Sequence, residues 1–406
     1  MKGYTGRVSF REALFTGQAP DMGLFLPERA PQLTLSKIEA FKDRPYWQIA
    51  YEILKLFLED ELPDAELQRI TREAYNFDIP LEAIDSHTWL ARLDQGPTAS
   101  FKDFAARFMA RAMAYFKPAD QQVTILVATS GDTGSAIGEA FKGLEGFRVY
   151  ILYPEYEVSA IQKKQLDSIG QNVQAIAVDG KFDDCQAMVK QAFSDPDPDL
   201  QPLHLTSANS INLGRILPQI VYYFYCYVNC VEAMEPAVIS VPSGNFGNSL
   251  GCEIARRMGL PVDKIIIATN ANDEFPAFLE SAEYHKIEPS RMCLSNAMNV
   301  GNPSNLARYF DLYGGTIDKE GTVHKYPDLD DMRQHLYSVA ISDRQTVATM
   351  KKYYTDSGIL LEPHGAVGVA ALEQYRHEKN HSRPSICMET AHPSKFPEII
   401  QQELGL

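Results

Sequence analysis

Over roughly the first 90 residues the chain repeats apolar positions at helical spacing. Ser9 with Glu12, and Ser36 with Glu39, read as capping boxes, in which a side chain satisfies a free N–H at a helix start. Gly17 reads as the stop of the first of these helices. The run WQIAYEILKLFLED is apolar on more than one face and predicts a buried helix, and PDAELQRITREAYNF predicts a shorter amphipathic one. From about residue 120 the rhythm changes. The apolar, β-branched runs VTILVAT, RVYILYP, VQAIAVD, AVISVPS, KIIIATN and SICMET alternate with helical periods. Strands that alternate with helices predict parallel sheet covered by helices on both faces. The runs fall into two groups, so the expected fold class is α/β. A mainly helical region is expected over residues 1–94, a smaller α/β domain over 95–210 and a larger one over 211–406. SDPDPDL, at 194–200, reads as an acidic, proline-containing loop, and no internal repeat or low-complexity tract is visible.

Composition narrows the function classes. At 406 residues, with 45% hydrophobic and 22% charged residues, the chain has the make-up of a soluble globular protein. A net charge of −15 argues against a non-specific nucleic-acid binder, which needs Lys and Arg to displace counterions. No apolar stretch approaches the roughly 20 residues that cross a bilayer. MKGYTGRVSFREAL lacks the apolar segment of a signal peptide. The six cysteines form no CxxC pair, so they read as buried thiols in a reducing cytoplasm, and no metal site is expected.

Candidate chemistry sits where strands or loops give way to helices. In GPTASFKDFAARFMARAMAYF, Gly96 and Pro97 break the chain and Ser100 with Asp103 can cap the helix that follows. Lys102 then falls in the first turn, where the helix dipole disfavours an ammonium. Such a cost suits a reactive lysine, which must be a neutral amine to attack a carbonyl. Taken alone, the segment more readily describes a solvated surface lysine. In VTILVATSGDTGSAIGEAF, residues Ser130, Gly131, Asp132 and Thr133 expose backbone N–H groups to one anion, or simply form a capped turn. AVISVPSGNFGNSLGCEIARRMG repeats the layout, with Gly244 and Gly247 allowing close approach to a phosphate. SANSINLGRILPQI offers Asn209, Ser210 and Arg215, whose planar fork suits phosphate or an ordinary salt bridge. Thr390 follows a late strand, and His364 and His392 lie in turns, where a structural role is commoner than a catalytic one.

Together, GPTASFKDFAARFMA, ATSGDTGSAIGEAF, SANSINLGRILPQI, VPSGNFGN, LSNAMNVGNPSN, LEPHGAVG and ETAHPSKF resemble the threonine synthase family of pyridoxal-phosphate enzymes, fold type II. They run in order over nearly the whole chain. The N-terminal VSFREALFTGQAPDMGLFLPE is similar to that family as well.

The resemblance implies that Lys102 carries the cofactor, pyridoxal 5′-phosphate, as a Schiff base. It implies that Gly244, Asn245, Phe246, Gly247 and Asn248 hold the cofactor phosphate, and that Thr390 faces the pyridine nitrogen. Ser130, Asp132 and Thr133 match the loop for the substrate carboxylate and the cofactor's 3′-oxygen, and Asn209, Ser210 and Arg215 are candidates for the substrate phosphate. The implied reaction takes O-phospho-L-homoserine and water to L-threonine and phosphate. Asn248 departs from the acidic residue common in this branch, which puts a charge-dependent role there in doubt, and Asp132 stands where another branch has Asn. Two alternatives remain at this point: a phospholyase yielding a 2-oxo acid, and a pyridoxal-phosphate-binding protein without turnover. Monomer and homodimer are both open.

Overall fold

The computed structural model describes residues 6–195, 197 and 203–406, so the acidic loop expected at 194–200 lies largely outside the described residues. All the runs named as strands are strands. Three of them, with the short strand Leu205–Ser207, form a smaller, wholly parallel sheet in the order Val173–Val178, Phe147–Pro154, Val123–Ala128, Leu205–Ser207. A larger sheet of six runs Leu81–Asp85, Thr88–Arg92, Ser385–Glu389, Ala237–Pro242, Val262–Thr269, Leu336–Ala340. It is parallel except for its first pair. Strands such as Ala237–Pro242 are buried along their whole length, which is why they read as unbroken apolar runs.

The region expected to be mainly helical up to residue 94 needs correction at its end. Residues 81–92 form a hairpin that joins the larger sheet beside Ser385–Glu389. Its turn is held by the Asp85 side chain, which accepts from the His87 N–H (2.8 Å) and the Thr88 hydroxyl (2.7 Å). Local periodicity cannot signal a pairing with residues so distant in sequence. The short strands at 205–207 and 336–340 escape for the same reason. Among the caps, Ser9 accepts from the Glu12 N–H and Gly17 ends that helix at φ 72°. The helix Leu35–Glu39 is capped by Thr34, which accepts from the Lys37 N–H, and not by Ser36.

One element matters most for placing the site. The aromatic helix Val221–Cys230 is buried on nearly every side. Its hydroxyls still need acceptors, and Tyr223 donates to the Asn248 carbonyl at 2.8 Å. That bond ties the core to the start of the helix Gly247–Arg257. No helix of the described residues is long and apolar enough to cross a membrane.

Candidate active site

The helix Lys102–Phe116 starts at Lys102 itself, with Phe101 as its cap residue. The expected Ser100–Asp103 box is not formed. Ser100 Oγ accepts from the Lys102 N–H at 3.3 Å, while Asp103 turns back to the Thr98 N–H (2.9 Å) and hydroxyl (2.7 Å). Lys102 Nζ, with 14% of its side chain exposed, lies 3.6 Å from Asp132 Oδ2. Burial holds its ammonium below the usual lysine range; Asp132 opposes this, and Lys395 and Arg215 add to the fall. Burial would by itself raise the Asp132 carboxyl, but the cations Lys395 and Lys102 outweigh it and hold that group well below the usual carboxylate range.

Two loops present backbone donors. In the first, Thr129 Oγ1 accepts from the Gly131 and Gly134 N–H groups at 3.0 and 2.8 Å, which shapes the turn. The N–H groups of Ser130, Asp132 and Thr133 are left with no acceptor among the described residues. In the second, Phe246 takes the left-handed conformation (φ 60°) and the helix Gly247–Arg257 begins. The N–H groups of Gly244, Asn245, Phe246, Gly247 and Asn248 likewise have no acceptor among the described residues. Buried donors of this kind are rarely left unpaired, so an anion is the expected guest. The side chain of Asn248 is spent on the turn: Nδ2 donates to the Pro242 carbonyl (2.8 Å) and Oδ1 accepts from the Ser249 N–H (2.9 Å). Asn245 Oδ1 accepts from the Ser304 N–H and hydroxyl.

Arg215 is buried, donates once to the Ala208 carbonyl (2.7 Å), and leaves Nε unpaired. It has no carboxylate partner among the described residues, and burial pulls its guanidinium down to about 10. Asn209 donates to the Ala128 carbonyl at 2.7 Å. Arg308, which the sequence did not single out, is buried and donates to the carbonyls of Phe25, Ser210 and Ile211, bracing this loop from behind. Thr390 follows the strand Ser385–Glu389, with its hydroxyl 3.5 Å from Glu362 Oε1. Glu362 Oε2 lies 2.5 Å from His364 Nδ1, and the Glu362 N–H donates to Glu389 Oε1 at 2.9 Å. Burial, then the Glu362 carboxyl, push Glu389 well above the usual carboxylate range.

Lys102, Ser130, Asp132, Thr133, Asn209, Ser210, Arg215, Gly244, Asn245, Phe246, Gly247, Asn248 and Thr390 all line one cavity of about 80 Å³. His364 lines it too, whereas His392 does not and instead caps the turn Pro393–Lys395. A second cavity of about 370 Å³ adjoins it, sharing Ala128, Asn209, Ser210 and Asn245.

Residues 76–388 match the pyridoxal-phosphate dependent enzyme family, and residues 2–75 match the threonine synthase N terminus. The chain belongs to the threonine synthase family of pyridoxal-phosphate-dependent enzymes. It is 39% identical to the threonine synthase of Haemophilus influenzae, covering 98% of this chain and 89% of that one. The crystal structure of threonine synthase from Escherichia coli superposes with a TM-score of 0.89 at 38% identity, over 100% of this chain and 90% of that one. The pyridoxal-phosphate-bound threonine synthase from Brucella melitensis gives 0.90 at 35% identity, over the same shares.

The residues present fit this cofactor. A Cβ added at Gly244 would lie 2.7 Å from the Ala297 carbonyl oxygen, so glycine lets the loop pack this closely against residues 297–298 while its N–H groups stay free for a phosphate. The unpaired N–H groups of residues 244–248 supply the donors, and a lysine amine opens into the same cavity. The sequence reading missed Lys395, Gln162, Asn296 and Glu389. Asn296, Glu389 and Lys395 lie within segments that carry the resemblance, but their roles and that of Gln162 come from packing across the chain.

Proposed function

We propose that the chain converts O-phospho-L-homoserine and water to L-threonine and phosphate. The observation that carries this reading is the convergence, in one cavity, of a lysine held toward its neutral form with two backbone anion cradles and an arginine that lacks a carboxylate. Two anion sites beyond the cofactor phosphate match a substrate with a carboxylate at one end and a phosphate at the other. The likeness to relatives named threonine synthase supports the same reading.

When bound, pyridoxal phosphate supplies an electron sink that stabilises negative charge at the substrate Cα. The loop 244–248 would hold its phosphate, and the Thr390 hydroxyl would give its ring nitrogen a neutral partner. A hydroxyl there makes a milder sink than an aspartate would, which suits elimination over transamination. The Lys102 amine takes the Cα proton and later returns it, which requires the neutral form that burial favours. The N–H groups of Ser130, Asp132 and Thr133 orient the carboxylate. Arg215, with Asn209 and Ser210 beside it, holds the phosphate: a proton leaves Cβ as the phosphate departs from Cγ, Cγ takes up a proton, and one water adds its hydroxyl at Cβ and gives up its other proton. We place the activity in the cytoplasm, in keeping with six free thiols.

The test is phosphate release and product identification with O-phosphohomoserine. Threonine formed in step with phosphate supports the reading. A 2-oxo acid in its place makes the chain a phospholyase, and bound cofactor without phosphate release makes it a non-catalytic binder.

A further inference from the structure

Lys395 lies outside the reactive cavity, yet its Nζ, 1% exposed, sits 2.6 Å from Asp132 Oδ1 and 3.0 Å from the Thr98 carbonyl. A closed ring of contacts fixes it there. The turn Pro393–Lys395 is capped by His392, whose Nδ1 accepts from the Ser394 N–H at 3.1 Å. The Lys395 carbonyl accepts from Ser159 Oγ at 2.9 Å. Ser159 forms a capping box with Gln162, and Gln162 Nε2 donates to the same Asp132 Oδ1 at 2.9 Å. Asp132 is thus held on one oxygen by Lys395 and Gln162, and turns the other toward Lys102.

A buried carboxylate needs a cation. Were Lys102 its only partner, the pair would lock Lys102 as an ammonium, useless for attack on a carbonyl and for taking a proton. We infer that Lys395 is a positioning residue: it serves as the resident counter-ion of Asp132 and so releases Lys102 to act as a neutral amine. This rests on the reading of Lys102 as the lysine that joins the cofactor. The charges around Lys102 divide: Lys395 and Arg215 favour its neutral amine, whereas Asp132 and Glu362 favour the ammonium. Around Lys102 stand Asp132, Lys395, Arg215 and Glu362, and around Lys395 stand Asp132 and Asp103.

The test uses the full-length chain stripped of cofactor, with pyridoxal phosphate as the probe. The rate at which the imine absorbance appears is followed across pH. In Lys395→Met the rate at pH 7 falls about ten-fold or more, since each unit of upward shift removes nine-tenths of the neutral amine, and the rise in rate moves to higher pH. Lys395→Arg keeps the wild-type profile. Adding Asp132→Asn to Lys395→Met moves the profile back down, because the anion is gone. A Lys395→Met profile that coincides with the wild type overturns the inference, as does a Lys395→Arg shift as large as that of Lys395→Met. If circular dichroism shows that Lys395→Met does not fold, Lys395→Gln, which keeps a donor for Thr98, carries the same expectation. A Lys102→Ala chain that still forms the imine at the wild-type rate defeats the underlying reading instead, so the two failures are separable.

Discussion

His364 Nε2 accepts the Ala297 N–H at 3.1 Å while its Nδ1 lies 2.5 Å from Glu362 Oε2. An acceptor at Nε2 places the ring proton on Nδ1, where it donates to Glu362. Both ring nitrogens are therefore occupied, and the residue forms a strut between Glu362 and Ala297. One end of the strut is the helix Pro363–Lys379, which packs on the larger sheet; the other is the loop that meets Gly244. The segment LSNAMNVGNPSN gains a role from this, since Ala297, Asn296 and Ser304 all brace parts of the reactive cavity.

His364→Ala removes both bonds at once and leaves the Ala297 N–H and the Glu362 carboxylate short of partners. The expected loss is about 1–3 kcal/mol of stability, the cost of stranding buried polar groups. It should come with faster loss of cofactor on dialysis. Thermal melts and residual imine absorbance after dialysis check this. Unchanged values for both would show that the loop stands without the strut.

Gly244→Ala tests the cradle itself. The new methyl would meet the Ala297 carbonyl at 2.7 Å and Met298 Cα at 3.1 Å, both backbone. Neither can swing aside, so overpacking of about 1–3 kcal/mol is expected, relieved by opening the loop and spoiling the phosphate donors. Titration with pyridoxal phosphate should show weaker binding in step with a lower melting temperature. Wild-type affinity in this variant would place the cofactor phosphate elsewhere.

Arg215→Met tests the assignment of the substrate phosphate. A charge-assisted bond is worth about 1.5–3 kcal/mol, which is roughly 10- to 150-fold in binding. KM for O-phosphohomoserine should rise by that order and inhibition by inorganic phosphate should weaken, while the imine absorbance persists. A variant with unaltered KM and phosphate inhibition would remove Arg215 from the substrate site.

How much of this was legible in the chain differs by element. The buried parallel strands announce themselves as apolar runs, and the two N–H cradles as small-residue turns between a strand and a helix. Lys102 is legible as a lysine in a costly place. The role of Lys395 is not, although ETAHPSKF is itself a recognisable segment, because nothing in it tells of a carboxylate partner, Asp132, more than half the chain away. The hairpin at 81–92 fails to show for the same reason, its partner strand being Ser385–Glu389. What sequence patterning conveys is each segment's own preference, and what it withholds is pairing across the chain.

Glu274 offers a test of the electrostatics away from the cavity. It opens the helix Glu274–Ser281, is 3% exposed, and leaves Oε2 unpaired. Burial pushes its carboxyl up to about 8 from an ordinary 4.5. The folded chain thus keeps a proton that the unfolded chain gives up above pH 4.5. Because the native state binds more protons in this window, stability falls as pH rises from about 4.5 to about 8 and levels off beyond. Glu274→Gln has no proton to lose, so its advantage over the wild type should grow across that window, reaching on the order of 4 kcal/mol near pH 8. Other titrating groups, Glu389 among them, act equally on both chains and cancel in the difference. Urea unfolding of the two chains at pH 5, 6, 7 and 8 measures it. Curves that run parallel across the series would mean that Glu274 ionises in the folded protein as readily as in the unfolded one.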